Sequence, residues 1–177
     1  MSSFFSPAGA DLVTDRLVLR IWPRDEVDAV LRDARCAHWA DDFPTDGDRV
    51  VVSLFGEHPE WLGEYGHRQI IERDSGLVVG ALGLFWPPGD GTVELGYGVA
   101  ASRRGRGYAP ESVRALTEFA LTAADVHTVS ARVELPNPSS VRVLEKAGFR
   151  WLGSGEGLAR FNVTAPYPAP APAPAPA

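Results

Sequence analysis

From Leu17 onward, Leu17, Leu19 and Ile21 alternate with Val18 and Arg20, which predicts a first strand within residues 12–22, ended by Pro23. Val27, Val30, Leu31 and Ala34 then recur at i, i+3, i+4 and i+7, the spacing of one helix face, so a helix is expected from an Asp25 cap to about Arg35. Residues 50–55 fit either period: their valines suit a strand, while Asp46 or Asp48 as a cap favours a short helix. Two apolar runs, residues 67–73 and 77–86, flank Asp74-Ser75-Gly76 and read as a hairpin. A proline- and glycine-rich turn over residues 87–91 leads to a strand over 92–99, where Gly96 and Gly98 weaken the interior but admit close approach of another backbone. Val113, Leu116, Ala120 and Ala123 mark a helix with Pro110 in its first turn. Residues 127–135 form the next strand, 139–147 a short helix closed by Gly148, and 149–153 with 158–163 a last hairpin.

A helix between the strands at 92–99 and 127–135 makes a right-handed β-α-β unit, which places a ligand at the strand C-termini. Residues 1–10 carry Ser, Pro and Gly without periodicity and read as a loose arm, and residues 165–177 as a Pro-Ala tail favouring polyproline II. The segment between, 11–164, is one domain. A chain of 177 residues has that size, and 45% hydrophobic with 23% charged content suits a globular protein. No run approaches the ~18 apolar residues of a membrane span, so no membrane association is expected. Cys36 is the one cysteine, which excludes an internal disulfide and fits a reducing cytoplasm. His38, His58, His67 and His127 lack metal-ligand spacing, so no metal is expected.

The net charge is −6, yet Arg103, Arg104 and Arg106 interleave with Gly105 and Gly107 directly before a helix. Glycine lets backbone N–H groups face a ligand, and a helix start adds unpaired donors, so this is a local site for a phosphate or pyrophosphate. So confined a basic cluster argues against a nucleic-acid partner. A phosphate-loop NTPase is excluded because the G-K-[ST] ending is missing.

Arg104-Gly105-Arg106-Gly107-Tyr108-Ala109 fits the R/Q-x-x-G-x-G/A signature and resembles that of the GNAT superfamily of acetyl-CoA-dependent N-acetyltransferases. The longer string ELGYGV…RRGRGYAPES, with Asn137 to Phe149 fitting N-x-x-S-x-x-x-L-E-K-x-G-F, is similar to its ribosomal-protein alanine acetyltransferase (RimJ/RimL-like) branch. The resemblance implies an α/β (α+β) fold with a mixed twisted sheet of six to seven strands, helices on both faces and a splayed central strand pair. It implies direct transfer of an acetyl group from acetyl-CoA, the co-substrate, to a primary amine such as a protein N-terminus, by a monomer or homodimer. Backbone N–H groups from Arg104 through Gly105, Arg106, Gly107 and Tyr108 to Ala109 would hold the pyrophosphate. Tyr97, Gly98 and Val99 would pair with pantetheine, a strand N–H near Val99 would serve the oxyanion, and Asn137 would bond the pantetheine arm.

Many members place a tyrosine seven residues after that asparagine as the acid for the leaving thiolate; here Leu144 stands there. Ser140 matches the serine of the RimL-like branch and either relays the proton or caps the adjacent helix. Glu94 matches the glutamate base of many members, with Glu111 in reserve, whose other role is to stabilise a helix start. Asp41, Asp42, Asp46, Asp48, Glu57, Glu60 and Glu64 lie in the segment that forms much of the acceptor site in this superfamily. They form either an acidic rim for a cationic acceptor, or a solvated surface. An aminoglycoside or polyamine acetyltransferase is the alternative enzyme; a CoA-binding sensor without turnover is the alternative of another class.

Overall fold

A computed structural model describes residues 9–167, so residues 1–8 of the expected arm and 168–177 of the expected tail lie outside the described residues. The elements are β1 (Leu12–Val13), β2 (Leu17–Ile21), α1 (Arg24–Leu31), α2 (Asp46–Ser53), β3 (His67–Glu72), β4 (Val78–Leu84) and β5 (Thr92–Val99). They are followed by α3 (Tyr108–Ala120), β6 (Thr128–Glu134), α4 (Pro138–Lys146), β7 (Arg150–Gly155) and β8 (Leu158–Thr164). One mixed sheet runs β1-β2-β3-β4-β5-β6-β8-β7, in which only β5 and β6 pair parallel.

The strand expected over residues 12–22 is two strands. Thr14 N–H donates to the Leu17 carbonyl at 2.9 Å and Leu17 N–H to the Thr14 hydroxyl at 3.1 Å, a tight turn that folds β1 back onto β2. Among the described residues the sheet therefore has eight strands where six to seven are expected, and the two-residue β1 is the addition. Every residue of β4 is buried, as in a strand covered on both faces.

Helix α1 ends at Leu31, earlier than its periodicity suggests, because Asp33 turns to φ 55°, outside the helical range. Pro23, not Asp25, occupies its N-cap position, and Asp25 and Glu26 sit in the first turn, where negative charge suits the helix dipole. The ambiguous valine segment is helical. Thr45 is its cap and Asp48 the third residue of a reciprocal capping box, which satisfies donors that a strand at this position would leave unpaired. Helix α3 packs on β5, β4 and β2, and α4 packs on β6 and α3. Leu17, Leu19, Ile70, Leu84, Leu116 and Leu144 are fully buried between these layers.

Candidate active site

The parallel ladder between β5 and β6 holds only from Thr92 opposite Thr128 to Glu94 opposite Ser130. Beyond that point the strands diverge. Backbone groups of Glu94 and Ala100 bond toward β4, so by the alternation of the ladder Tyr97 and Val99 turn theirs toward the opening. A free strand edge therefore lines a gap, and the gap is one wall of a cavity of ≈ 630 Å³. Its lining carries Arg103, Arg104, Arg142 and Lys146 and no carboxylate.

The loop leading into α3 is shaped by two left-handed glycines, Gly105 at φ 77° and Gly107 at φ 80°, the latter capping α3. Glu72, at the end of β3, organises it. Its Oε2 accepts from the Tyr108 hydroxyl at 2.7 Å and lies 3.4 Å from both Arg103 Nε and Arg106 Nη1, while Oε1 accepts from Ser75 at 2.7 Å. Burial works to raise the Glu72 pKa, but the Ser75 and Tyr108 hydrogen bonds with the two guanidiniums outweigh it and hold the carboxyl below its usual range. Arg16 ties the loop from the other side, donating to the Arg106 carbonyl at 2.7 Å and to Glu111 at 2.8 Å, with its guanidinium 4.9 Å from the Tyr108 ring centre. Arg104 Nε donates to the Val99 carbonyl at 3.1 Å, fastening the loop to the free edge.

Tyr97, Gly98, Val99, Arg104, Gly105, Gly107, Tyr108, Ala109, Asn137 and Ser140 all line this one cavity. Arg106 is not among them: its side chain turns to Glu72. Glu94 lines neither this cavity nor its neighbour, since its carboxylate is engaged by Arg132 Nη2 at 3.0 Å across the closed end of the strand pair. Glu111 is likewise committed, to Thr14 and Arg16. The cap of α4 is Asn137, whose Oδ1 accepts from Ser140 N–H at 3.1 Å. The Ser140 hydroxyl is therefore not the cap. Leu144 is fully buried and has no access to the cleft.

Ser139, Arg142, Val143 and Lys146 also line the cavity and stand at i, i+3, i+4 and i+7 on α4. That spacing is a helix face legible in the sequence, and Lys146, the chain's one lysine, belongs to it.

A second cavity of ≈ 260 Å³ shares Tyr97 and Gly98 with the first. Of the seven acidic residues considered for an acceptor rim, only Asp48 lines it. Burial raises the Asp48 pKa against the opposing hydrogen bonds from Thr45. Asp42 instead accepts from Ser102 N–H at 2.8 Å and Ser102 Oγ at 2.7 Å, which hold its carboxyl below the usual range. His67 lies at this cavity with 4% exposure, and burial pushes its imidazole down to about 4. Among the described residues no group of three or more His, Cys, Asp or Glu could hold a metal, and no helix is long and apolar enough to cross a membrane.

A splayed mixed sheet with a glycine-arginine loop at the opening is the arrangement that the resemblance to the acetyltransferase superfamily implies. The profile of the acetyltransferase (GNAT) domain matches residues 16–150, and the chain belongs to that family. It is 34% identical over 127 residues to the probable N-acetyltransferase YjcK of Bacillus subtilis, covering 70% of this chain and 67% of that one. Its fold matches a putative ribosomal-protein-serine acetyltransferase from Vibrio cholerae (TM-score 0.63, 19% identity, 88% of this chain and 97% of that one). It also matches yncA, a putative acetyltransferase from Salmonella typhimurium with its cofactor acetyl-CoA (TM-score 0.58, 20% identity, 89% and 99% covered).

Proposed function

We propose that this chain transfers an acetyl group from acetyl-CoA directly to a primary amine. The observation that carries the reading is the convergence, in one cavity, of the left-handed glycine loop, the free edge of β5 and four cations with no carboxylate. A diphosphate suits that lining: open space surrounds the Cβ position of Gly105, so backbone N–H groups there are reachable. When bound, acetyl-CoA supplies an activated thioester. The Tyr97 backbone groups and the Val99 carbonyl at the free edge would pair with its pantetheine arm, and the Val99 N–H would serve as the oxyanion donor. Arg142 and Lys146 on α4 add charge for its phosphates.

Ser140 relays to the departing thiolate the proton that the attacking amine gives up as the C–N bond forms and the C–S bond breaks, so its hydroxyl ends as it began. Ser140 lines the donor cavity and its side chain does not cap α4, while the buried Leu144 offers no alternative at the usual position. These two features support membership of the RimJ/RimL-like branch. Glu94, held by Arg132 outside both cavities, is poorly placed as a base. An α-amine, with a pKa of ~7.7–8.0, is partly neutral at physiological pH and needs only water to remove its proton, which favours an α-amine or similarly weak base as acceptor. We place the reaction in the cytoplasm, in keeping with the free thiol of Cys36.

Thiol release from acetyl-CoA, followed with a panel of peptides, alkyl and aryl amines, polyamines and aminoglycosides, tests the function. Release that depends on an amine supports it. Tight CoA binding without release for any amine identifies a sensor instead.

A further inference from the structure

We infer that the second cavity is the acceptor pocket and that it selects a primary amine borne on a compact apolar or aromatic body, in preference to polyamines and aminosugars. This inference rests on the donor assignment proposed above. The two cavities meet at Tyr97 and Gly98, so a nucleophile held in the smaller one reaches the free edge of β5 where the thioester is presented.

Size is the first selector. At ≈ 260 Å³ the pocket is less than half the size of the ≈ 630 Å³ donor cavity, which favours a compact body over a multi-ring aminosugar. Lining is the second. Trp22, Val51, Val52, Leu82 and Phe85 form apolar walls, and Gly96 leaves space where a Cβ would stand 3.0 Å from the Phe85 ring. An extended polycation needs several anionic partners along its length; this pocket offers one carboxylate, Asp48, whose Oδ2 already accepts from the Thr45 N–H and hydroxyl at 2.8 and 2.9 Å.

His67 is the third selector. Its ring packs among Phe55, Trp61 and Phe85 at centroid distances of 5.6, 5.3 and 5.1 Å, yet Nε2 has no hydrogen-bond partner among the described residues. A buried polar atom without a partner is unusual in a folded protein and is compensated when a ligand supplies the bond. With burial depressing its pKa, the imidazole is neutral at physiological pH and does not repel an amine held in the pocket.

The same chemistry comes from two sources, a free alkyl or arylalkyl amine and the first residue of a peptide. The test measures kcat/KM at saturating acetyl-CoA for isoamylamine, phenethylamine, and Leu- and Phe-initiated tetrapeptides beside spermidine and kanamycin, with acetyl-CoA affinity measured separately by calorimetry. At least about tenfold higher kcat/KM for either apolar source than for spermidine and kanamycin supports the inference, and the better source identifies the natural class. Equal or better turnover of spermidine or kanamycin overturns it, as does failure of every apolar amine while acetyl-CoA binds. Absence of acetyl-CoA binding overturns the donor assignment itself and this inference with it. Val51→Phe, at a half-buried wall position, should raise the KM of the preferred amine about tenfold and leave acetyl-CoA affinity unchanged; an unchanged KM removes the pocket from the acceptor path.

Discussion

The Tyr108 hydroxyl donates to Glu72 Oε2 at 2.7 Å, joining the last residue of β3 to the first residue of α3 across the loop that lines the donor cavity. The same carboxylate lies 3.4 Å from both Arg103 and Arg106, so one side chain at the end of a strand holds two arginines of the loop and the first residue of α3. Glu72→Gln keeps the shape but removes the charge, leaving the half-buried Arg103 without its counterion. A loss of about 1–3 kcal/mol in urea unfolding is expected, and a change within 0.5 kcal/mol would show that the pairs are dispensable.

Stability should also fall in mild acid. The His67 imidazole sits at about 4 in the folded chain against 6.5 when exposed, so below pH 6.5 the unfolded chain binds the additional proton. The contribution is complete above pH 6.5 and is lost as pH falls toward 4. Between pH 7 and pH 5 this amounts to about 2 kcal/mol. Urea titrations at those two pH values should show that slope reduced by a comparable amount in His67→Phe, because other acid-titrating groups such as Glu72 are common to both proteins. Identical slopes would mean that His67 is not a buried neutral group.

Ser140→Ala removes a hydroxyl but no helix cap. If Ser140 supplies the proton, kcat should fall about 10²-fold while the KM for acetyl-CoA stays within about twofold. Equal kcat in the variant would leave thiolate departure to water.

Asn137→Ala removes the Oδ1 that accepts from Ser140 N–H, and should lower stability by about 1 kcal/mol. Thermal unfolding of the two variants at positions 137 and 140 separates the roles: the first should lower Tm, and the second should leave it unchanged. A drop in Tm for Ser140→Ala would assign the capping role to Ser140 after all.

Much of this arrangement is legible in the sequence because it is local. Alternation gives β2, a glycine turn gives the β3–β4 hairpin, and the arginine-glycine run before Pro110 gives the anion loop. What escapes is set by distant contacts. Nothing near Glu94 in the chain announces Arg132, which lies on the neighbouring strand, and the same holds for Glu72 beneath Tyr108. The split of the first strand depends on one side chain, Thr14, bonding three residues ahead. In the sequence Ser140 is open to two roles, proton relay or cap of α4, and the cap is instead Asn137, three residues earlier, whose Oδ1 accepts from the Ser140 N–H. The stripe at Ser139, Arg142, Val143 and Lys146 was visible as a helix face, but a face alone does not say whether it meets a core or a ligand.

Isothermal titration of CoA into the wild-type chain and into Gly107→Val tests the donor site most directly. Gly107 stands at φ 80°, a conformation valine avoids, and a Cβ there would lie 3.2 Å from Arg16 Nη2 at the lip of the anion loop. One CoA per chain should bind the wild type, and the variant, folded by circular dichroism, should bind at least about 100-fold more weakly. Equal affinity in the two proteins, or no binding to the wild type, would contradict the assignment of this loop to the diphosphate.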